Sequence, residues 1–417
     1  MTDAGRLLRE HREVTRRYFL KLGAGALAGA SLPHVSAAAA PPELAQAISG
    51  LEYLTSEDKF RNIGRGKPPP HELPPETLRA VGLHPDTWQL EVVPDPDTDA
   101  RVDNPLSKER GTALTWDALM RLAEKHAVRY LHVMTCLNVA QPLGMGLWEG
   151  VPLRVVVWMA EPMENIRRAF FYGYHNDDPK QLFQSSLPIG RVLEDPPGQP
   201  PVLLCYKLNN RWLSPARGAP VRMLVPDAYG FKSVKWLTRV VLSNLFHAND
   251  TYAQWNNDID TSLKTFARFV SYPRTSPPGQ PIPATGLAQV GISGLSRVQV
   301  WLHPQTAPLP SDDPSLSRGD WKDAEILAAP ERWGGDLPDG RMPQPPVGFD
   351  PATGKPDTWP MRFALAHWAI LLPGVPSGAY DLRCRTIDAA GHEQPMPRPF
   401  PKSGRNAIQQ VTVRVQA

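Results

Sequence analysis

From Leu287 onward the chain alternates apolar and polar side chains in one segment after another, and this dictates a β fold for its last third. Leu287-Ala-Gln-Val-Gly-Ile-Ser-Gly294, Arg297-Val-Gln-Val-Trp301, Arg362 to Leu372, Ala379 to Asp388 and Ile408 to Val415 all carry the pattern. A period of two sends one face of a strand to a core and the other to water. Gly378-Ala-Tyr-Asp-Leu-Arg-Cys-Arg-Thr-Ile-Asp388 and Val411-Thr-Val-Arg-Val415 are the cleanest cases. Strands of this kind predict an immunoglobulin-like sandwich over residues 287–417. Residues 304–358 interrupt it with Pro, Asp and Gly and read as an insertion too long for a plain hairpin.

The preceding part has a different texture. Residues 41–90 are sparse in pattern and punctuated by proline (Lys67-Pro-Pro-Pro70), as in an extended arm wrapping a core. Trp88 to Val93 alternates like a strand. Thr115 to Lys125 has helical spacing, with Thr115 as N-cap. Val151 to Trp158 starts a short helix or strand, and Val202 to Leu208 and Val221 to Val225 read as strands. Lys235 to Leu242 reads as a strand with Trp236, Thr238, Val240 and Leu242 on one face. Short strands mixed with short helices predict an α+β domain with a mixed sheet over residues 41–270. Residues 271–286, rich in Pro, Gly and Ser, read as a linker to the β domain.

Residues 1–40 read as an export signal. Thr15-Arg-Arg-Tyr-Phe-Leu-Lys21 precedes a short apolar run, Leu22 to Leu32, and small residues from Ser36 to Ala40. This is the layout of a twin-arginine signal. That route carries proteins already folded, so the sequence predicts a periplasmic protein with a complex cofactor enclosed. The run is too short and too rich in Gly and Ala to span a bilayer, and no later run could.

The net charge is only +3, with no block of like charge, so nucleic-acid binding has no support. Three cysteines, Cys136, Cys205 and Cys384, do not make a disulfide framework. Cys205 and Cys384 lie within strand patterns and read as small buried hydrophobes. Cys136 follows the apolar strand Tyr130 to Met134 and opens a glycine-containing loop, Gln141 to Gly146. A strand end facing a loop suits a thiolate ligand or nucleophile, although on residue type alone a third buried cysteine is the simpler reading. The chain has no dinucleotide fingerprint, no P-loop, no His-Glu-x-x-His, no Gly-x-Ser-x-Gly and no Cys-x-x-Cys-His. Arg222, Lys232, Ser233, Lys235 and Arg239 gather in one segment around Gly230, which could turn its backbone N–H groups toward an anion. As bare spacing, a solvated basic strand face accounts for them equally.

Taken in order, these pieces resemble the sulfite oxidase family of molybdopterin-dependent oxidoreductases. Cys136 comes before a glycine-containing loop. Trp148-Glu-Gly-Val-Pro-Leu153, Ser186-Leu-Pro-Ile-Gly190, Pro220-Val-Arg-Met-Leu-Val-Pro226 and Lys232-Ser-Val-Lys-Trp-Leu237 follow. The resemblance runs from about residue 85 to 270. It continues more loosely through Gly378-Ala-Tyr-Asp-Leu382 and Asp388 to Pro395, similar to the family's dimerisation domain, which makes a homodimer an expectation.

The resemblance implies a molybdenum–molybdopterin cofactor with Cys136 as its protein ligand to the metal. It implies that Arg222, Lys232, Ser233 and Lys235 hold the pterin phosphate, and that Ser186 lies near the pterin. Phe60-Arg61-Asn62 resembles the family's pocket-arginine segment, and Tyr252 falls in the region of its pocket tyrosine. The chemistry implied is oxygen-atom transfer on a small oxyanion or sulfur compound, sulfite dehydrogenase-like, with a periplasmic cytochrome c as acceptor. Sulfite-oxidising members place an arginine five residues after the ligand cysteine. Here Cys136-Leu-Asn-Val-Ala-Gln141 puts neutral Gln141 there, losing a charge-assisted contact of about 1.5–3 kcal/mol. On this reading Gln141→Arg would improve sulfite affinity. A reductase of a sulfoxide or N-oxide, and a cofactor-free binding protein, are the competing readings.

Overall fold

The computed structural model describes residues 42–417 except 197, 314, 344 and 395–397. The export signal predicted for residues 1–40 lies outside the described residues. The first part carries strands β1 (Gln89–Pro94), β2 (Leu114–Thr115), β3 (Val128–Met134), β4 (Gly144–Pro152), β5 (Arg168–Gly173), β6 (Gln184–Pro188), β7 (Leu203–Leu208), β8 (Arg211–Trp212), β9 (Arg222–Leu224) and β10 (Leu237–Ser243). The second carries β11 (Phe266–Ser271), β12 (Thr275–Ser276), β13 (Ile282–Gln289), β14 (Arg297–Pro304), β15 (Lys322–Ile326), β16 (Leu365–Leu372), β17 (Gly378–Ile387) and β18 (Gln409–Val415).

The first part holds two sheets. One runs β2-β1-β10-β5-β6, with β1 parallel to β10 and its other pairs antiparallel, the mixed sheet that the sequence predicts. The other is antiparallel, β3-β4-β7-β8, with β9 also on β7. Their apolar faces and the helix Leu153–Met159 share one core that includes Trp88, Leu90, Val133, Leu147, Val156 and Phe171. Val151 to Trp158 thus divides between a strand end and a helix. The helix Trp116–His126 starts where Thr115 accepts a hydrogen bond from the Ala118 N–H, so the N-cap lies where the sequence puts it.

Two expectations are corrected. Lys235 to Leu242 is not one alternating strand. Trp236 has a positive φ of 53° and stands before β10, its indole N–H bonded to Pro215 O at 2.9 Å. β10 is central, so Val240, Val241 and Leu242 are buried on both faces and alternation is lost. Residues 271–286 are not a free linker. They contain β12, which pairs with β18, and half of β13, which pairs with β11 and β16. The second part is the all-β domain that the sequence predicts, with its two strand groups joined through β15. It is one curled eight-strand sheet, β11-β13-β16-β15-β14-β17-β18-β12, closed over its own core around Trp368, Leu382 and Val413.

The reason for the curl lies inside the 304–358 insertion. Its β15 pairs with β14 through Val298–Ala324 and with β16 through Ile326–Trp368, joining what would otherwise be two faces. The rest of the insertion packs on the first core. Trp333, Leu337 and Phe349 belong to that core with Tyr53 and Leu54. Leu54 N–H donates to Trp333 O at 2.8 Å, and Val347 N–H donates to Arg129 O at 2.9 Å.

Candidate active site

Cys136 stands two residues beyond β3, and its neighbours in sequence are pinned. Thr135 donates its hydroxyl to Gln289 of the second part and accepts the Gly230 N–H on its carbonyl at 2.8 Å. Leu137 O accepts the Gly404 N–H at 3.0 Å. The Gly230 amide is therefore spent on the thiol-bearing loop, not turned toward an anion. The Cys136 thiol, half-buried, donates to Asn138 Oδ1 at 2.6 Å. Cys205 and Cys384 are fully buried, as expected, and burial pushes both thiols up, Cys205 to about 12. The glycines expected in the loop, Gly144 and Gly146, instead belong to β4.

Cys136 opens into a cavity of about 760 Å³, part of it open to solvent. Arg61, Arg65, Arg217, Arg222 and Lys235 supply its basic groups, His175 lines it with its imidazole held down to about 4 by burial and Arg65, and no Asp or Glu lines it among the described residues. Gly218, at φ 101°, makes the turn that gathers three of them, because a side chain there would meet Lys235. Arg217 pairs with Glu57 at 3.0 Å and donates to the carbonyls of Arg61 and Phe60, which fixes the N-terminal arm to the wall. Arg222 is buried over the Trp148 ring and spends donors on Arg217 O and Ser233 O at 3.0 and 2.8 Å. Lys235 reaches Ala216 O and Asn62 Oδ1. Burial, with Arg222 and Arg217 alongside, lowers Lys235 to about 6. Crowded basic groups, of which Arg217 alone has a carboxylate partner among the described residues, make a site for an anion.

Of the residues singled out from sequence, Arg61, Cys136, Arg222, Ser233, Lys235 and Tyr252 line this one cavity. Five stand off its wall. Gln141 is exposed on the surface, and exposed Asn62 sits behind the wall as a partner of Lys235. Lys232 and Ser186 are buried together. Lys232 Nζ donates to Ser186 O at 2.8 Å and lies 3.6 Å from Asp250, which also accepts the Ser186 hydroxyl at 2.9 Å. Asp250 caps the short helix Thr251–Gln254, accepting the Tyr252 and Ala253 N–H groups at 3.1 Å. Lys232, expected to hold the phosphate, and Ser186, expected near the pterin, thus anchor the aspartate that positions Tyr252. Arg239 is exposed and paired with Glu91 at 2.9 Å, away from the cavity.

Tyr252 stacks on Phe231 at 4.5 Å and meets Phe183 edge-on at 5.8 Å. Arg65 lies with Cζ 3.5 Å over Phe183 and 5.9 Å from the Tyr252 ring. Burial raises the Tyr252 hydroxyl, opposed by Arg65. Burial lowers Arg65, and Tyr252 and the Cys136 thiol pull it back up. Arg65, Arg217 and Asp250 were missed from sequence. Asp250 alone left a signal there, an Asp directly before Thr251-Tyr252.

The cavity wall runs from the arm through the segment that the oxidoreductase molybdopterin binding domain matches, residues 78–250. Those residues are a molybdopterin-binding oxidoreductase domain of the sulfite oxidase family. The chain is similar to the sulfite oxidase of Gallus gallus, at 26% identity over 273 residues covering 60% of this chain and 50% of that protein. It is similar to the mitochondrial sulfite oxidase of Drosophila melanogaster, at 30% over 119 residues covering 28% of this chain and 20% of that protein. It also resembles the NADPH nitrate reductase of Beauveria bassiana, at 28% over 116 residues, 27% of this chain and 12% of that one. The chain thus spans half or less of the length of these relatives. The fold is shared with the sulfane dehydrogenase SoxCD from Paracoccus pantotrophus, with TM-score 0.53, 18% identity, and 93% and 97% of the two chains covered. The molybdopterin-binding domain is thus followed by a curled β domain, and no described helix is long and apolar enough to cross a membrane.

The residues present fit a molybdenum–molybdopterin cofactor. Among the described residues no three His, Cys, Asp or Glu side chains converge to hold a metal. Cys136 is the one thiol on the cavity wall among the described residues, a soft donor of the kind that would suit such a metal. Lys235, Arg217 and Arg222 suit that partner's anionic end.

Proposed function

We propose that this protein is a periplasmic molybdenum oxidoreductase that transfers an oxygen atom at a small oxyanion, sulfite dehydrogenase-like, and passes electrons to a cytochrome c. The observation that carries the reading is the Cys136 thiol facing a cavity with cations and no carboxylate on its wall. The cofactor, when bound, supplies the two-electron oxygen-atom chemistry. Cys136 serves as its protein ligand, and Lys235, Arg217, Arg222 and Ser233 hold its charged end. Tyr252, fixed by Asp250, and the arm arginines Arg61 and Arg65 face the substrate side. The twin-arginine signal supports the periplasmic location, since a cofactor inserted in the cytoplasm must travel inside the fold.

The test is elemental analysis for molybdenum on protein from a host that makes the cofactor, followed by two assays. Cytochrome c reduction by sulfite supports the proposed direction. Turnover only with reduced viologen and a sulfoxide would reverse it, and absence of molybdenum would remove the enzyme reading.

A further inference from the structure

We infer that Arg65, on the N-terminal arm, is the residue that grips the substrate oxyanion, supplying from another part of the chain the positive charge absent at position 141. The inference rests on the oxidoreductase reading above and names the substrate-binding group within that site.

Gln141 is exposed and stands off the cavity wall, so no charge reaches the cavity from that position. Of the other wall cations, Arg61 is exposed, whereas Arg65 is half-buried beside Tyr252, and three more are committed. Arg217 is paired with Glu57, Arg222 is spent on backbone carbonyls, and Lys235 is held by Asn62 and Ala216. Arg65 has no carboxylate partner among the described residues and no backbone carbonyl on its guanidinium. Its Cζ rests 3.5 Å over the Phe183 ring, beside Tyr252, on the same cavity wall as Cys136. An arginine stacked on an aromatic face, sharing one hydrogen bond with the Tyr252 side chain and keeping its other edge donors for a ligand, presents the fork that an oxyanion accepts.

The arm is also strapped on both sides of Arg65, so the fork is held before substrate arrives. Upstream, Arg217 binds the carbonyls of Phe60 and Arg61. Downstream, Lys67 N–H donates to Gln181 Oε1 at 2.8 Å, and Asn176 Nδ2 donates to Pro68 O at 2.8 Å. Gly66, at φ 92°, makes the turn between, where an added Cβ would sit 3.0 Å from Asn176 Nδ2. Ordering a cation beforehand removes that cost from binding.

The experiment compares the wild-type holoenzyme with Arg65→Gln and Arg65→Lys. Molybdenum content and melting temperature are measured first, then sulfite kinetics, then calorimetric titration with sulfate. Arg65→Gln should load molybdenum normally, raise the sulfite KM about ten- to hundredfold with a smaller change in kcat, and weaken sulfate binding in step. Arg65→Lys, which keeps charge without the fork, should fall between. Normal molybdenum with unchanged sulfite KM and sulfate affinity in Arg65→Gln would overturn the inference and leave the oxidoreductase reading standing. A wild-type protein without molybdenum would end both.

Discussion

The Phe60 ring fills the space that Gly144 leaves by having no side chain. A Cβ on Gly144 would lie 2.8 Å from Phe60 Cδ2. Phe60 is buried against Trp148 at 5.8 Å, and the residues after it carry Arg61 and Arg65 into the cavity. The seat of the arm is therefore set by a glycine in a strand well away in sequence. Gly144→Ala should cost about 1–3 kcal/mol by overpacking and should lower cofactor retention. Denaturant melts with molybdenum content check this, and a variant as stable and as loaded as wild type would show that the ring can shift freely.

Cys136→Ser should abolish turnover while leaving the fold and much of the pterin in place, because the cationic wall is untouched. Pterin fluorescence after acid release, set beside activity, is the measurement. Full turnover in that variant would remove the ligand assignment.

Gln141→Arg reads from sequence as a way to improve sulfite affinity. With the side chain exposed and off the cavity, the expected sulfite KM is instead within about twofold of wild type, as for most surface changes. A clear fall in KM would mean that the loop after Cys136 turns inward when substrate binds.

Asp250→Asn leaves Lys232 buried without its counter-charge. Breaking such a pair costs about 3–5 kcal/mol. Since Asp250 also caps the helix that holds Tyr252, kcat should fall along with stability. Chemical denaturation and steady-state rates test both, and a fully stable variant would show that the pair is not coupled to the fold.

Stability of the cofactor-free protein should rise with pH above about 6. Lys235 titrates near 6 when folded and near 10.4 when unfolded, so between those values the unfolded chain binds the extra proton. His175, lowered to about 4 by burial and Arg65, adds a loss of stability below its ordinary value near 6.5. The slope above pH 7 should flatten in Lys235→Met, followed by melting temperature in a series of buffers. An identical slope in that variant would assign it to other groups.

The elements with one exposed face were legible in the sequence, because a strand such as Gln409–Val415 must alternate and a helix such as Trp116–His126 needs its Thr115 cap. Buried and proline-bearing elements were not. β10 is covered on both faces and has no period to read. β13 carries Pro283 and Gly286, which look like loop residues, yet Gly286 is in the sheet because the Trp368 ring crosses it, 2.1 Å from where a Cβ would be. Within the site, residues next to recognisable motifs could be named from sequence. Arg65 could not, because nothing in Gly64-Arg65-Gly66 says which cavity the arm will cross. Lys232 looked like a phosphate ligand until its buried partner Asp250 was in view.

The insertion at 304–358 gives one strand to the curled sheet and Trp333 and Phe349 to the first core. Cutting the chain near residue 271 would therefore strand a hydrophobic plug on one fragment and its socket on the other. The two halves should melt in a single transition and resist rescue as separate fragments. Such a chain is assembled whole.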